Sequence, residues 1–223
     1  MQELDEAFDF FDKGEFQQAE EIYLSCLRSI SDKTSVSYKA ALNGIGYVKS
    51  FQGQFGKATA YYQELLEISK RESNLKEEAM ALHQLGMVGR MAGNYQQATE
   101  FFIAEGEIWT RHFPDFYVGF AANFYERGSI AIKEKKYTEA TILLKQSLEY
   151  AVLSKSLVAQ GCAYRGLGEL GVATSKFEKA ENAFQKALSV FKEAEDSVAV
   201  EEMQSLLATP YEGMKIQNYG KNR

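Results

Sequence analysis

A chain of 223 residues with 45% hydrophobic residues and two prolines has the apolar content of a folded protein and little of the punctuation that strand-rich folds need. Its net charge of −6 argues against nonspecific binding to nucleic acid or anionic membrane, both of which favour basic surfaces. No run of about 18 apolar residues occurs, and MQELDEAFDF has neither the basic nor the apolar region of a signal peptide, so neither a membrane span nor a secretory leader is expected.

In chain order the hydrophobic pattern predicts helix pairs at about 2–12 with 15–29, 34–52 with 54–71, 74–92 with 94–111, 115–134 with 136–154, and 156–174 with 177–194. The first of these is strongly acidic. Met1 to Glu21 holds eight acidic residues and one lysine, which reads as a solvated terminal face. Turns fall at Lys13-Gly14, Gln52-Gly53, Gly93-Asn94, Lys135-Lys136 and Ser175-Lys176, with a loop at Glu72-Ser73-Asn74. The joint His112-Phe113-Pro114-Asp115 reads as an internal loop, because proline biases the residue before it away from helix, and Asp115 is placed to cap the next helix. A last helix at 196–208 starts at Asp196, a suitable N-cap, and supplies the polar-faced end that a helical array needs. The segment after Pro210 is short, polar and basic, so it is expected to be mobile.

These pairs repeat. Ala19, Ala58, Ala98, Ala140 and Ala180 are spaced by 39, 40, 42 and 40 residues. Three residues before each stands an aromatic, Phe16, Phe55, Tyr95, Tyr137 or Phe177, and four after it stands Tyr23, Tyr62, Phe102, Leu144 or Phe184. Twelve before it stands Ala7 or a glycine, namely Gly46, Gly86, Gly128 and Gly168. A fixed period in this range means stacked supersecondary units. A glycine within a helix costs roughly 1 kcal/mol against alanine, so its recurrence implies close packing.

This pattern resembles the tetratricopeptide repeat family, whose repeat places Leu-Gly, Tyr, Gly-x-Tyr, Ala and an aromatic at set offsets. Leu82, Leu85-Gly86, Gly93, Tyr95, Ala98 and Phe102 match it in the third unit, and Tyr164, Leu167-Gly168, Phe177, Ala180, Phe184 and Ala187 in the fifth. The period is longer than the usual one, as in the members that include kinesin light chains and Rap-type bacterial regulators. The resemblance implies an all-α, right-handed α-solenoid of about five helix pairs plus a C-terminal capping helix. It would form a single domain over 1–209, with units at about 1–31, 32–72, 73–113, 114–154 and 155–195, a cap at 196–208 and a tail at 210–223.

Residues for catalysis or metal binding are sparse. His83 and His112 lack ligand spacing, and no phosphate loop or nucleophile elbow occurs. Cys26 and Cys162 are too few for a disulfide framework, and Cys26 falls at a packing position. Neither an enzyme, a cofactor nor a metal is expected, and a cytoplasmic setting fits. What the resemblance does imply is a partner groove lined by the first helix of each unit. Transferring its positions gives Asn43, Tyr47 and Phe51, then Met80, His83, Met87, Arg90 and Met91, then Tyr125 and Ser129, then Arg165 and Glu169. Asn43 can bond a peptide backbone in two directions, Arg90 and Arg165 can hold a carboxylate bidentately, the methionines offer an adaptable apolar patch, and the aromatics rigid anchors. Three readings stay open: a protein- or peptide-binding adaptor, a small-peptide sensor resembling the repeat half of Rap-type regulators, and a self-associating structural subunit.

Overall fold

The computed structural model describes residues 2–208, so the basic tail at 210–223 lies outside the described residues. Among the described residues the chain is helical throughout, with no strand, as its period requires. The proline-marked joint divides it into two compact units, Met1–His112 and Phe113–Arg223. In the first, α1 (Gln2–Asp12), α2 (Phe16–Ser29), α3 (Val36–Phe51), α4 (Phe55–Arg71), α5 (Leu75–Met91) and α6 (Tyr95–His112) form three helix pairs. In the second, α7 (Tyr117–Lys133), α8 (Tyr137–Ser154), α9 (Leu157–Ala173) and α10 (Phe177–Glu193) form two more, followed by α11 (Ser197–Ala208). Every helix boundary lies within two residues of the sequence expectation.

Local chemistry explains most of those boundaries. Ser35, Asn74, Ser156 and Asp196 accept hydrogen bonds from the backbone N–H three residues on, at 3.0–3.2 Å, and so start α3, α5, α9 and α11. Asp115 behaves otherwise. Phe116 occupies the N-cap position of α7, and the Asp115 carboxylate accepts from the Tyr117 hydroxyl at 3.3 Å instead of from the helix backbone. Between Pro114 and Tyr117 the chain makes tight turns that use Phe113 O and Asp115 O, which moves the start of the helix one residue past the aspartate.

All five turns within pairs share one geometry. A residue with positive φ ends the first helix, and the next N–H reaches back five residues, as in Asn94 N to Gly89 O and Lys136 N to Ala131 O, both 2.8 Å. Gly14, Gly53 and Gly93 take this conformation without strain, whereas Lys135 and Ser175 adopt it with a side chain. Lys135→Gly is therefore expected to stabilise the second unit by about 0.5–1 kcal/mol, and Gly93→Ala to destabilise the first by about 1 kcal/mol. Urea midpoints with an unchanged m-value would show it; equal midpoints would mean that the turns carry no strain.

The repeat signature closes each pair like a knob in a hole. A methyl built on Gly86 would come within 2.6 Å of the Phe102 ring, and one on Gly46 within 2.5 Å of Tyr62. Gly128 takes Leu144 and Gly168 takes Phe184 in the same way. The glycine and the large residue sixteen positions later are thus one device, which holds the two helices of a pair together. Between pairs the core passes from one neighbour to the next. In the first unit Tyr23, Ile45 and Val48 join α2 to α3, and Tyr62, Leu66, Leu82 and Leu85 join α4 to α5. In the second, Leu143, Leu144 and Leu170 join α8 to α9, and Met203 of α11 packs on Phe184 and Phe191. The end helix buries that methionine completely and exposes Glu201, Glu202, Gln204 and Ser205, as a capping element must.

One charged pair sits inside the first unit. Lys49 is 3% exposed and meets the Glu20 carboxylate and the Gln52 side-chain carbonyl, tying α3 to α2. Hydrogen bonding to that ammonium outweighs desolvation and holds the Glu20 carboxyl below its ordinary range. Cys26 is buried beside Glu3, and burial pushes its thiol up, as it does for the half-buried Cys162. Both thiols are free and disfavour the reactive thiolate.

Candidate partner-binding groove

The inner helices α3 and α5 of the first unit run side by side in the same direction. Two cross-links fix this. Lys39 Nζ bonds Glu77 at 2.7 Å and Glu72 at 3.0 Å near the helix starts, and Gln84 Nε2 donates to the Tyr47 hydroxyl at 2.9 Å about two turns later. Burial pulls the Lys39 ammonium down, but the two carboxylates win and hold its pKa above the ordinary value. Between these cross-links lies an open cleft of about 340 Å³, with Asn43 and Tyr47 on one wall, Met80 and Gln84 on the other, and Leu65 of α4 at its base. Met80 is 52% exposed there and Val36 extends the apolar edge. The Asn43 side chain makes no hydrogen bond to any other described residue, which leaves a donor and an acceptor in the cleft lining.

Not all of the groove residues named from sequence join this cleft. Phe51 is exposed but packs edge-on to Phe11 and beside Phe16, so it extends the aromatic cluster of α1 and α2. His83 turns away toward α6, where its Nδ1 lies 3.1 Å from both oxygens of Glu105 and its ring meets Phe102 edge-on. Met87, Arg90 and Met91 are half-buried on the last turns of α5.

In the second unit three of the four named residues, Tyr125, Arg165 and Glu169, form a structural network. Tyr125 and Ser129 are buried in α7. The Arg165 guanidinium donates to the Tyr125 hydroxyl and, at 2.8 Å, to Glu202, with Glu169 at 3.7 Å. Desolvation pushes the Tyr125 phenol far above its ordinary value. Arg165 thereby joins α7, α9 and α11, and the donors that a ligand carboxylate would need are already bonded. Its guanidinium also stacks over the Tyr125 ring, 5.4 Å from the centroid.

Lys39, Glu77 and Gln84 belong to the cleft but were not among the residues named from sequence. The reason is geometric. A cleft between two parallel helices uses the α5-facing side of α3 and the α3-facing side of α5, so most positions that line one wall do not recur on the other, although Ala40 and Met80 both line it. Moving one position along α5, from His83 to Gln84, would have found the second wall. Among the described residues no set of three His, Cys, Asp or Glu side chains is grouped to hold a metal, and no helix is long and apolar enough to cross a membrane.

Comparison with known proteins agrees with this architecture. The sequence profile of the tetratricopeptide repeat matches residues 37–104, from α3 into α6. No curated protein sequence matches the chain. Among solved structures, aspartyl phosphate phosphatase F from Bacillus subtilis superposes with a TM-score of 0.69 at 17% identity, over 98% of this chain and 56% of its own. The apo form of RapI gives a TM-score of 0.68 at 18% identity, over 97% of this chain and 80% of its own. Nearly identical tetratricopeptide-like repeats of a putative kinesin light chain from Podosopora anserina give 0.62 at 16% identity, over 88% and 96%. Residues 37–104 are therefore tetratricopeptide repeats by sequence, and the described chain as a whole has the tetratricopeptide-type helical-repeat fold.

Proposed function

We propose that this chain is a non-catalytic scaffold that holds a protein or peptide partner between α3 and α5. The observation that carries the reading is the cleft of about 340 Å³ in which an unbonded amide, Asn43, faces an exposed methionine, Met80. That volume lies within the range of ordinary ligand sites. An extended segment would exchange backbone hydrogen bonds with Asn43 and set an apolar side chain against Met80 and Val36. Methionine suits this role because its unbranched thioether adapts to different partners. The reading includes a cytoplasmic setting, in keeping with two free thiols.

The test is affinity capture from the native lysate with wild type and with Asn43→Ala/Met80→Glu. Partner recovery is expected to fall about tenfold in the double variant and to stay unchanged in the surface control Lys57→Glu. Equal recovery by all three proteins would remove the cleft from consideration. A second reading, a small-peptide sensor, draws support from the fold match to RapI across 97% of the chain. Both readings use the same surface. They separate on whether adding a bound peptide compacts the protein in small-angle scattering, which a sensor requires and a passive adaptor does not.

A further inference from the structure

The second unit holds a cleft that the groove between α3 and α5 leaves unused. It runs between the first halves of α8 and α10 with α9 as its floor, and encloses about 580 Å³. Lys145 stands on the α8 wall, and Lys176, Lys179 and Lys186 along α10. Four of the fifteen lining residues are thus lysine and none is acidic, in a chain with 31 acidic and 25 basic residues. Among the described residues none of the four ammonium groups has an ion-pair partner within 4.0 Å, although Lys136 beside them is paired with Glu134. Lys186 lies 5.7 Å from the centroid of the Tyr164 ring within the same cleft.

Two observations decide what kind of anion. From Lys176 to Lys186 the lysines extend roughly 15 Å along the helix axis, which is more than one phosphate can bridge. The floor presents Leu167 and Leu170 and the α8 wall an Ile142 that stays 57% exposed, and these offer nothing to an inorganic ion. We propose that this cleft binds an acidic peptide segment that carries apolar side chains. Its carboxylates lie along the lysine rim, and its apolar groups cover Ile142 and the leucines. This site is independent of the α3–α5 cleft in residues and in chemistry.

The probe is a fluorescein-labelled peptide, EELFEELFEE, followed by anisotropy. Saturable binding is expected, weakening as sodium chloride rises from about 50 to 300 mM because the contacts are exposed charges. Lys179→Glu/Lys186→Glu should weaken it about tenfold, while Met80→Glu leaves it unchanged. A decamer of glutamate alone should bind more weakly. Circular dichroism confirms that the lysine variant is folded, which its exposed positions favour. No saturable binding, or binding indifferent to the lysine reversals, overturns the proposal. Displacement by micromolar tripolyphosphate would replace it with a simple anion site. Wild-type self-association that disappears in the lysine variant, seen by light scattering, would replace the peptide with a second copy of the chain. Failure of the α3–α5 reading is separate, since only the Asn43 and Met80 variants report on it.

Discussion

Glu105→Ala is expected to lower the stability of the first unit by about 3 kcal/mol. Its carboxylate is 1% exposed on α6, accepts from Trp109 Nε1 at 2.8 Å and lies 3.1 Å from His83 Nδ1 with each oxygen. Truncation removes the acceptor of a buried indole N–H, takes the partner from an imidazole on α5, and opens a cavity between the two helices of the pair. Glu105→Gln keeps the volume and one acceptor, so its loss should be smaller, about 1–2 kcal/mol. Trp109 is the single tryptophan of the chain, which makes its fluorescence in urea a direct reading of this unit. If alanine costs less than about 0.5 kcal/mol, the network is not a stabilising element.

The second large effect is expected at Gly171. A methyl there would lie 2.8 Å from the backbone nitrogen of Ala180 and 2.9 Å from its Cα, atoms that cannot yield without separating α9 from α10. Overpacking of this kind costs about 1–3 kcal/mol, more than the roughly 1 kcal/mol that alanine returns as helix propensity. Gly171→Ala should therefore destabilise the second unit by about 2 kcal/mol. Gly89 occupies the same repeat position but leaves 3.2 Å to the Ala98 methyl and 3.4 Å to its backbone. There a shift of a few tenths of an ångström suffices, and Gly89→Ala should fall within about 0.5 kcal/mol of wild type as propensity offsets crowding. At this position α7 already carries Ala131, whose methyl is buried against its own partner helix. Equal effects of the two substitutions, measured by thermal unfolding, would refute the difference in helix separation.

Helix limits, turn positions and the close packing at each glycine were legible in the order of residues, because each depends on contacts that recur at one period. Gly86 and Phe102 illustrate this: sixteen residues apart, they meet wherever two helices of that length fold back on one turn. The closing helix was legible too, from Asp196 and the polar-faced segment that follows it. Asp115 was not, since its fit as a cap depended on how Pro114 and Phe116 turn the chain.

The candidate site was legible only in part. Repeat position named Asn43, Tyr47 and Met80, which line one cleft. It could not foresee that His83 is held by Glu105, or that Arg165 is held by Tyr125 and Glu202, because the repeat fixes which face of a helix a residue occupies and not which side chains meet across it. Still less could it foresee the lysine cleft, whose members are separated by up to 41 residues and are scattered among ordinary surface charges. The sequence by itself determined which residues face along each helix, through a period set by local backbone geometry. Which of those side chains remain open to a partner was decided only in the tertiary structure, where the side of each helix that meets its neighbour, and the polar groups it meets there, determine whether a donor or acceptor is already satisfied.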